Sequence, residues 1–195
     1  MFSYRKAKHR IFHLLNVLRI YFINTKGGNL SFSTKLDKKT KVYISRGANI
    51  KTGINVYLRS EPRGYHCGMP FGTVLLADKK GANIEIGSNS RINGAYIHAQ
   101  VRVSIGKNCV IAAGTNIIDS NGHEIYSVDR TTGRDIPYPI LIGNNVWIGM
   151  NSVILKGTVI GDNSVISAGS VVKGIFPSNS LIQGNPAKIK KILTI

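Results

Sequence analysis

From Ile142 to Pro177 the chain repeats its chemistry every six residues. Aliphatic side chains stand at Ile142, Ile148, Ile154, Ile160, Ile166 and Val172. Four places after each hexad opens come Val146, Ser152, Thr158, Ser164 and Ser170, mostly small. Trp147, Val153, Val159, Val165 and Val171 follow them directly. Neither the helical period of 3.6 nor the strand period of 2 generates such spacing. A fixed internal period predicts a solenoid. The aliphatic residue points inward, the small one fits a tight corner, and Gly143, Gly149, Gly161 and Asn163 supply the turns. Three hexads close one triangular rung, and rungs stack into a prism with an aliphatic core.

The rest of the chain divides around this stretch. Residues 82–117 carry good repeats, with Ile86, Ile92, Ile105, Ile111 and Ile117 in phase. An extra residue between His98 and Ile105 marks a bulge, with His98 expected at an inward or corner position. Residues 27–80 read as an irregular segment with weak early rungs. Ile44, Ile50 and Val56 are spaced by six there, Ala48 and Ile54 fall at corners, and Glu61 to Gly72 projects as a loop. Between Ile117 and Ile140 the hexads stop, and a polar loop of that length inside a regular solenoid is a functional candidate. The chain therefore divides into 1–26, 27–80 and 81–195, the last with an interrupting loop at 118–139 and a C-terminal loop at 177–195.

The first 26 residues follow a helical pattern. Ile11, Leu14, Leu15, Leu18 and Phe22 fall on one stripe, with His9, His13 and Asn16 elsewhere. His13, Asn16 and Arg19 break the apolar run and no small-residue cleavage site follows, which argues against a signal peptide. The run is also too short and polar to span a bilayer. Such a helix either covers the open end of the prism or packs between subunits, or it lies in a membrane interface.

Charge sharpens the second possibility. The net charge is +17, and residues 1–50 hold eleven Lys or Arg against one acid, Asp37. A basic end attracts phosphates, anionic lipid or nucleic acid, although it can also be a solvated face. Nucleic acid is disfavoured, because no recognised motif or aromatic-interleaved basic patch is present. The two cysteines, Cys67 and Cys109, show no metal or redox spacing. Cys109 occupies a small-residue corner, and nothing requires an oxidising compartment.

Two further stretches carry specific chemistry. One is Asp119-Ser120-Asn121-Gly122-His123, followed by a Pro-rich return and Ile142-Gly143-Asn144-Asn145-Val146-Trp147-Ile148-Gly149. The other is Gln183-Gly184-Asn185-Pro186-Ala187-Lys188. With the hexads, they resemble the hexapeptide-repeat acyltransferases, in the branch of maltose, galactoside and capsular polysaccharide O-acetyltransferases. Streptogramin-inactivating acetyltransferases are relatives of that branch. The resemblance implies a mainly β fold, a left-handed parallel β-helix, here with an N-terminal amphipathic helix and a short C-terminal helix. It implies a cytoplasmic homotrimer that moves acetyl from acetyl-CoA to a sugar hydroxyl, without metal; a peripheral place at the inner face of the membrane is the expectation drawn from the basic, amphipathic N-terminus. A surface-polysaccharide precursor is the expected acceptor.

Site roles follow from the same resemblance. His123 is the expected general base, a task suited to an imidazole near neutral pH. Asp119, Glu124 or a backbone carbonyl would orient it, or Asp119 would simply cap the turn. Trp147 flanks the active-site end of the coenzyme groove, an amide near Gly149 and Met150 bonds the thioester oxygen, and Ala168 contacts the pantetheine arm. Asn185, Lys188 and Lys191 belong to the coenzyme loop, the lysines meeting phosphates. Met150 departs from the Ser found there in some relatives. γ-Class carbonic anhydrases share the solenoid and bind zinc with three histidines across a subunit interface; His98 and His123 would supply two, but no histidine lies five residues from His123 to complete the usual pair. A non-catalytic scaffold binding anionic partners is the remaining alternative.

Overall fold

The period of six is realised as three parallel sheets, visited in turn. A computed structural model describes the backbone of residues 2–194 and the side chains of residues 12–194. The first sheet contains Gly28–Leu30, Asn49–Thr52, Asn83–Ile86, Arg102–Ile105, Ile140–Ile142, Val159–Ile160 and Ile175–Phe176. The second contains Lys35–Leu36, Tyr57–Arg59, Arg91–Asn93, Val110–Ile111, Trp147–Ile148, Val165–Ile166 and Ser180–Gly184. The third contains Lys41–Ile44, Val74–Ala77, Tyr96–Ala99, Asn116–Ile118, Val153–Leu155 and Val171–Val172. Every neighbouring pair among these strands is parallel and in register. Leu36, Leu58, Ile92, Ile111, Ile148, Ile166 and Ile182 thus stack as one buried aliphatic column.

Each corner has its own chemistry. Between the first and second sheets the chain reads Gly-x-Asn at Gly53, Gly87, Gly106, Gly143 and Gly161. The asparagines (Asn55, Asn89, Asn108, Asn145 and Asn163) hold φ between 53° and 62°. Asn tolerates this left-handed region better than other side chains. Their amides ladder along the corner, Asn145 Nδ2 donating to Asn163 Oδ1 at 3.0 Å. The glycines serve close approach: a Cβ on Gly106 would lie 2.4 Å from the Gly143 carbonyl oxygen. Cys109 occupies the following buried position, as expected of a small apolar residue.

Residues 27–80 are regular, which corrects the expectation of an irregular segment. The solenoid begins at Gly28 and Glu61–Gly72 is the one long excursion there. Ile54 is exposed, and Val56 holds the buried corner. The phase slip is also relocated. Ile97 and Ala99 point inward, so His98 points outward, against the inward or corner position read from the repeat. The surplus residues lie at Gln100 and Val101, where the third sheet turns into the first. Among the described residues the expected short C-terminal helix does not form. Ala187–Ile192 is instead a strand, antiparallel to Ser180–Gly184 at the edge of the second sheet.

Helix α1 (Phe2–Thr25) caps the open N-terminal end, but not with its apolar stripe. Ile20 is fully buried in the core and Ile23 packs beside it. Asn16 donates to the Thr34 carbonyl at 2.8 Å and accepts from the Leu36 amide at 3.0 Å. Arg19 donates to the carbonyls of Asp37 and Thr40. These are edge groups of the first rung, which would otherwise stay unpaired. Leu14, Leu15, Leu18 and Phe22 remain exposed. The side chains of His9 and Ile11 lie outside those described. Among the described residues, no helix is long and apolar enough to cross a membrane.

Candidate active site

The outer face of the second sheet carries a groove of about 740 Å³. Parallel register stacks Arg91, Val110, Trp147, Val165 and Leu181 along its floor. The excursion at 61–72 folds back over this face, bringing Tyr65, His66 and Cys67 into the lining. Tyr65 fixes the loop by accepting from the Ala113 amide at 3.3 Å, and burial raises the phenol above its ordinary pKa. Trp147, Gly149, Met150 and Ala168 all line the groove. The hairpin closing the same sheet carries Asn185 at its turn. Lys191 stands beside Leu181 and Lys188 beside Gln183, both lysines exposed. One face thus presents a channel that is apolar from Val110 to Leu181, with Arg59 and Arg91 at one end and the lysines at the C-terminal end.

Amide availability along the groove is uneven. The Gly149 amide donates to the Ile166 carbonyl at 2.8 Å, so it is occupied. The Met150 amide has no hydrogen-bond acceptor among the described residues, which leaves it as the donor of the pair expected to meet an oxyanion.

His123 sits elsewhere. It is exposed on the loop at 119–139, which leaves the corner where the third sheet passes into the first. In a three-sided prism that corner lies opposite the second sheet and its groove. Within one chain, His123 and Trp147 therefore do not share a site. The loop base is nonetheless tightly held. Asp135 accepts from Lys156 Nζ, Ser120 Oγ and the Asn121 amide, each at 2.7 Å. Burial alone would push this carboxyl up, but the lysine, the Asn121 amide and the serine outweigh it and hold the pKa at about 2. Beyond the base, Ile125, Tyr126 and Val128 are exposed.

Asp119 is a cap in this structure, not a partner of His123. It is fully buried, and its carboxylate accepts from the amides of Gln100, Val101 and Arg102, each at 2.8 Å. Those amides belong to the bulged corner, whose surplus residues need an acceptor that the regular ladder does not provide. Glu124 is exposed beside the histidine. His98 Nε2 lies 2.8 Å from Asp78 Oδ2, off the line that an aligned hydrogen bond needs. Among the described residues, no group of three or more His, Cys, Asp or Glu is placed to hold a metal ion.

Sequence reasoning missed Arg59, Arg91, Tyr65 and His66 as groove residues. The excursion was visible from its Gly and Pro content, but its direction is set by Tyr65 docking on the rung of Ala113, a contact without local signal.

Comparison with known proteins agrees with this architecture. Residues 139–174 match the family model of the bacterial transferase hexapeptide (six repeats), and residues 81–118 that of the hexapeptide repeat of succinyl-transferase. Galactoside O-acetyltransferase of Escherichia coli K12 is 42% identical over 110 residues, covering 56% of this chain. The chain spans about half of that relative, 54% of its length. WbbJ of the same organism, named for an O-acetyl transferase of lipopolysaccharide biosynthesis, is 31% identical over 76% of this chain and 71% of its own length. Among solved structures, the polySia-specific acetyltransferase NeuO superposes with a TM-score of 0.65 at 25% identity, covering 86% of this chain and 76% of NeuO. Galactoside acetyltransferase in complex with coenzyme A gives 0.56 at 26% identity, over 87% of this chain and 66% of that one. Parallel rungs built on hexads, matched by repeat models in two stretches and by WbbJ over most of both chains, place this protein: it belongs to the hexapeptide-repeat transferase family of left-handed β-helix acetyltransferases.

Proposed function

We propose that the protein transfers acetyl from acetyl-CoA to a sugar hydroxyl, with His123 as general base. The observation that carries this reading is the groove of the second sheet. Trp147, Met150 and Ala168 line an apolar channel suited to a pantetheine arm, and Lys188 and Lys191 stand where phosphates would emerge. The coenzyme supplies an activated acetyl carbonyl. His123 takes the hydroxyl proton as the acceptor oxygen bonds to that carbonyl carbon, and returns it to the departing thiolate sulfur. The Met150 amide donates to the carbonyl oxygen as charge grows on it.

The separation of His123 from the groove supports an assembly in which a second copy completes each site. The exposed Ile125, Tyr126 and Val128 beside the histidine give its loop an apolar surface to lay on a neighbour. A closed ring of three copies satisfies all loops and grooves equally. A glycan acceptor is favoured because WbbJ and NeuO are both named for acetylation in that context. The exposed stripe of Leu14, Leu15, Leu18 and Phe22, in a stretch rich in Lys and Arg, supports docking of residues 1–23 on an anionic membrane surface.

Calorimetry with acetyl-CoA and no acceptor tests the central claim, with one site per chain expected. His123→Ala should abolish acetyl transfer and leave that affinity unchanged. A folded protein that does not bind acetyl-CoA would leave the scaffold reading in its place. Phosphatidylglycerol vesicles should retain the full chain and release a variant lacking residues 1–23; equal retention would remove the membrane claim.

A further inference from the structure

The end of the groove away from the lysines holds two guanidinium groups for which the transfer step has no use. Arg59 stands on the strand Tyr57–Arg59 and Arg91 on the next, with Arg91 directly opposite Tyr57. The Arg59 guanidinium carbon lies 5.0 Å from the Tyr57 ring centroid and 5.7 Å from that of Tyr65. Two aromatic rings therefore hold the guanidinium in place. Its Nε is buried without a hydrogen-bond partner. A buried, unsatisfied donor on a charged group is costly, and a native structure retains one where something else meets it.

No acid among the described residues does so. Among the described residues, neither arginine is in an ion pair. Asp37, on the adjacent rung, already accepts from the Tyr57 hydroxyl and from the amides of Ser60 and Glu61. Both arginines nevertheless line the groove, together with Tyr65 and His66 of the loop. Arg91 and Trp147 lie two strands apart in one column, a separation of about 10 Å at ordinary strand spacing. That leaves room for a sugar ring between the acetyl position and the arginines.

We infer that Arg59 and Arg91 form an anion subsite for the acceptor, so that the sugar receiving the acetyl group carries a carboxylate or a phosphate ester. The guanidinium fork matches both anions, and a pre-stacked arginine loses little freedom in binding them. This inference rests on the acetyltransferase reading for the direction in which the acceptor approaches.

The test uses the full chain, saturated with acetyl-CoA, in 150 mM salt, with glucose, glucuronic acid and glucose 1-phosphate as probes. Dissociation constants are read by ligand-observed NMR. At least one acidic probe should bind tenfold or more tightly than glucose, and which one does so separates a carboxylate from a phosphate acceptor. Arg91→Gln, at an exposed position, and Arg59→Lys, which keeps the charge but not the stacked plane, should each remove most of that preference. Neither should change acetyl-CoA affinity more than twofold. Lys107→Gln, basic and exposed but outside the groove, should retain the full preference. Equal binding of the three probes would overturn the inference, as would loss of the preference in the Lys107 variant. Weakened acetyl-CoA binding in the arginine variants would also overturn it, by giving these residues to the coenzyme phosphates. Arginine-dependent preference in a protein that fails to bind acetyl-CoA would strike the transfer reading alone.

Discussion

Replacing Asp135 with Asn removes the charge that holds the His123 loop to the prism. The carboxylate is only 6% exposed and its partner Lys156 15%. It accepts from Lys156, Ser120 and Asn121, and from the Gly122 amide at 3.1 Å, and Gly122 immediately precedes His123. Its pKa falls from 3.8 to about 2 in the folded chain. A depressed carboxyl pKa stabilises the folded loop fully above the unfolded value. That contribution fades as pH drops through 4 and is gone below 2. A depression of nearly two units corresponds to about 2 kcal/mol. Asn keeps an acceptor oxygen but leaves the half-hidden lysine uncompensated, a loss of similar size. The loop can open while the rungs stay closed, so the sensitive assay is amide hydrogen exchange at Asn121 and Gly122. At pH 7 their protection should fall by roughly 30-fold in Asp135→Asn, the factor that 2 kcal/mol represents. Near pH 2 the two proteins should differ far less. An equal difference at both pH values would show that shape, not charge, holds the loop; unchanged protection at pH 7 would refute the clamp.

Gly106→Ala forces a methyl against the Gly143 carbonyl oxygen at 2.4 Å and should destabilise the solenoid by roughly 2–3 kcal/mol in urea unfolding. Asp119→Ala leaves three amides of the bulged corner without an acceptor and should cost about 2–3 kcal/mol. Below its melting point that variant should keep acetyl transfer within tenfold of wild type, whereas a loss comparable to His123→Ala would return Asp119 to the catalytic machinery. Arg19→Met removes donors to the Asp37 and Thr40 carbonyls and should loosen α1 by about 2 kcal/mol. Limited proteolysis should then cut between α1 and the first rung, and resistance equal to wild type would refute that role.

The period of six made the prism legible from residue 82 onward, because each hexad contributes one inward aliphatic and one small corner residue. The first coils were obscured for a definable reason. Leu36, Leu58 and Leu75 are inward there, but Thr34, Thr40, Thr52 and Thr73 fill buried positions beside them, and the threonine hydroxyls bond to one another or to carbonyls. A buried threonine pair such as Thr34 and Thr52 does the work of an aliphatic contact while erasing its signal. The helix was misread in a similar way. Its apolar stripe attracted attention, yet the docked face is Asn16, Arg19, Ile20 and Ile23, since a solenoid end exposes backbone groups that need polar partners as much as an apolar cover.

Residue types suggested a chemistry for the candidate site, but not its geometry. Trp147 stacks in register with Val165 on the second sheet, and Met150 and Ala168 hold the corner that follows those strands, so the repeat brings all three to one groove. A pattern that names the inward residue also names its outward neighbour. His123 obeys no such rule, since it stands on an interruption, and an interruption keeps only the corner it leaves from. That corner is opposite the groove, so within one chain the proposed base and the proposed coenzyme channel do not meet. If His123 is the base, as proposed, acetyl transfer depends on assembly. Dilution below the dissociation concentration should lower acetyl transfer in step with the loss of oligomer, while acetyl-CoA continues to find the Trp147 face of each separated chain. Mixing His123→Ala chains with chains mutated in the groove should restore activity at the interfaces that pair an intact loop with an intact groove. Complementation at no mixing ratio would mean that the loop folds back over its own prism, and that the opposite-corner geometry does not govern the site.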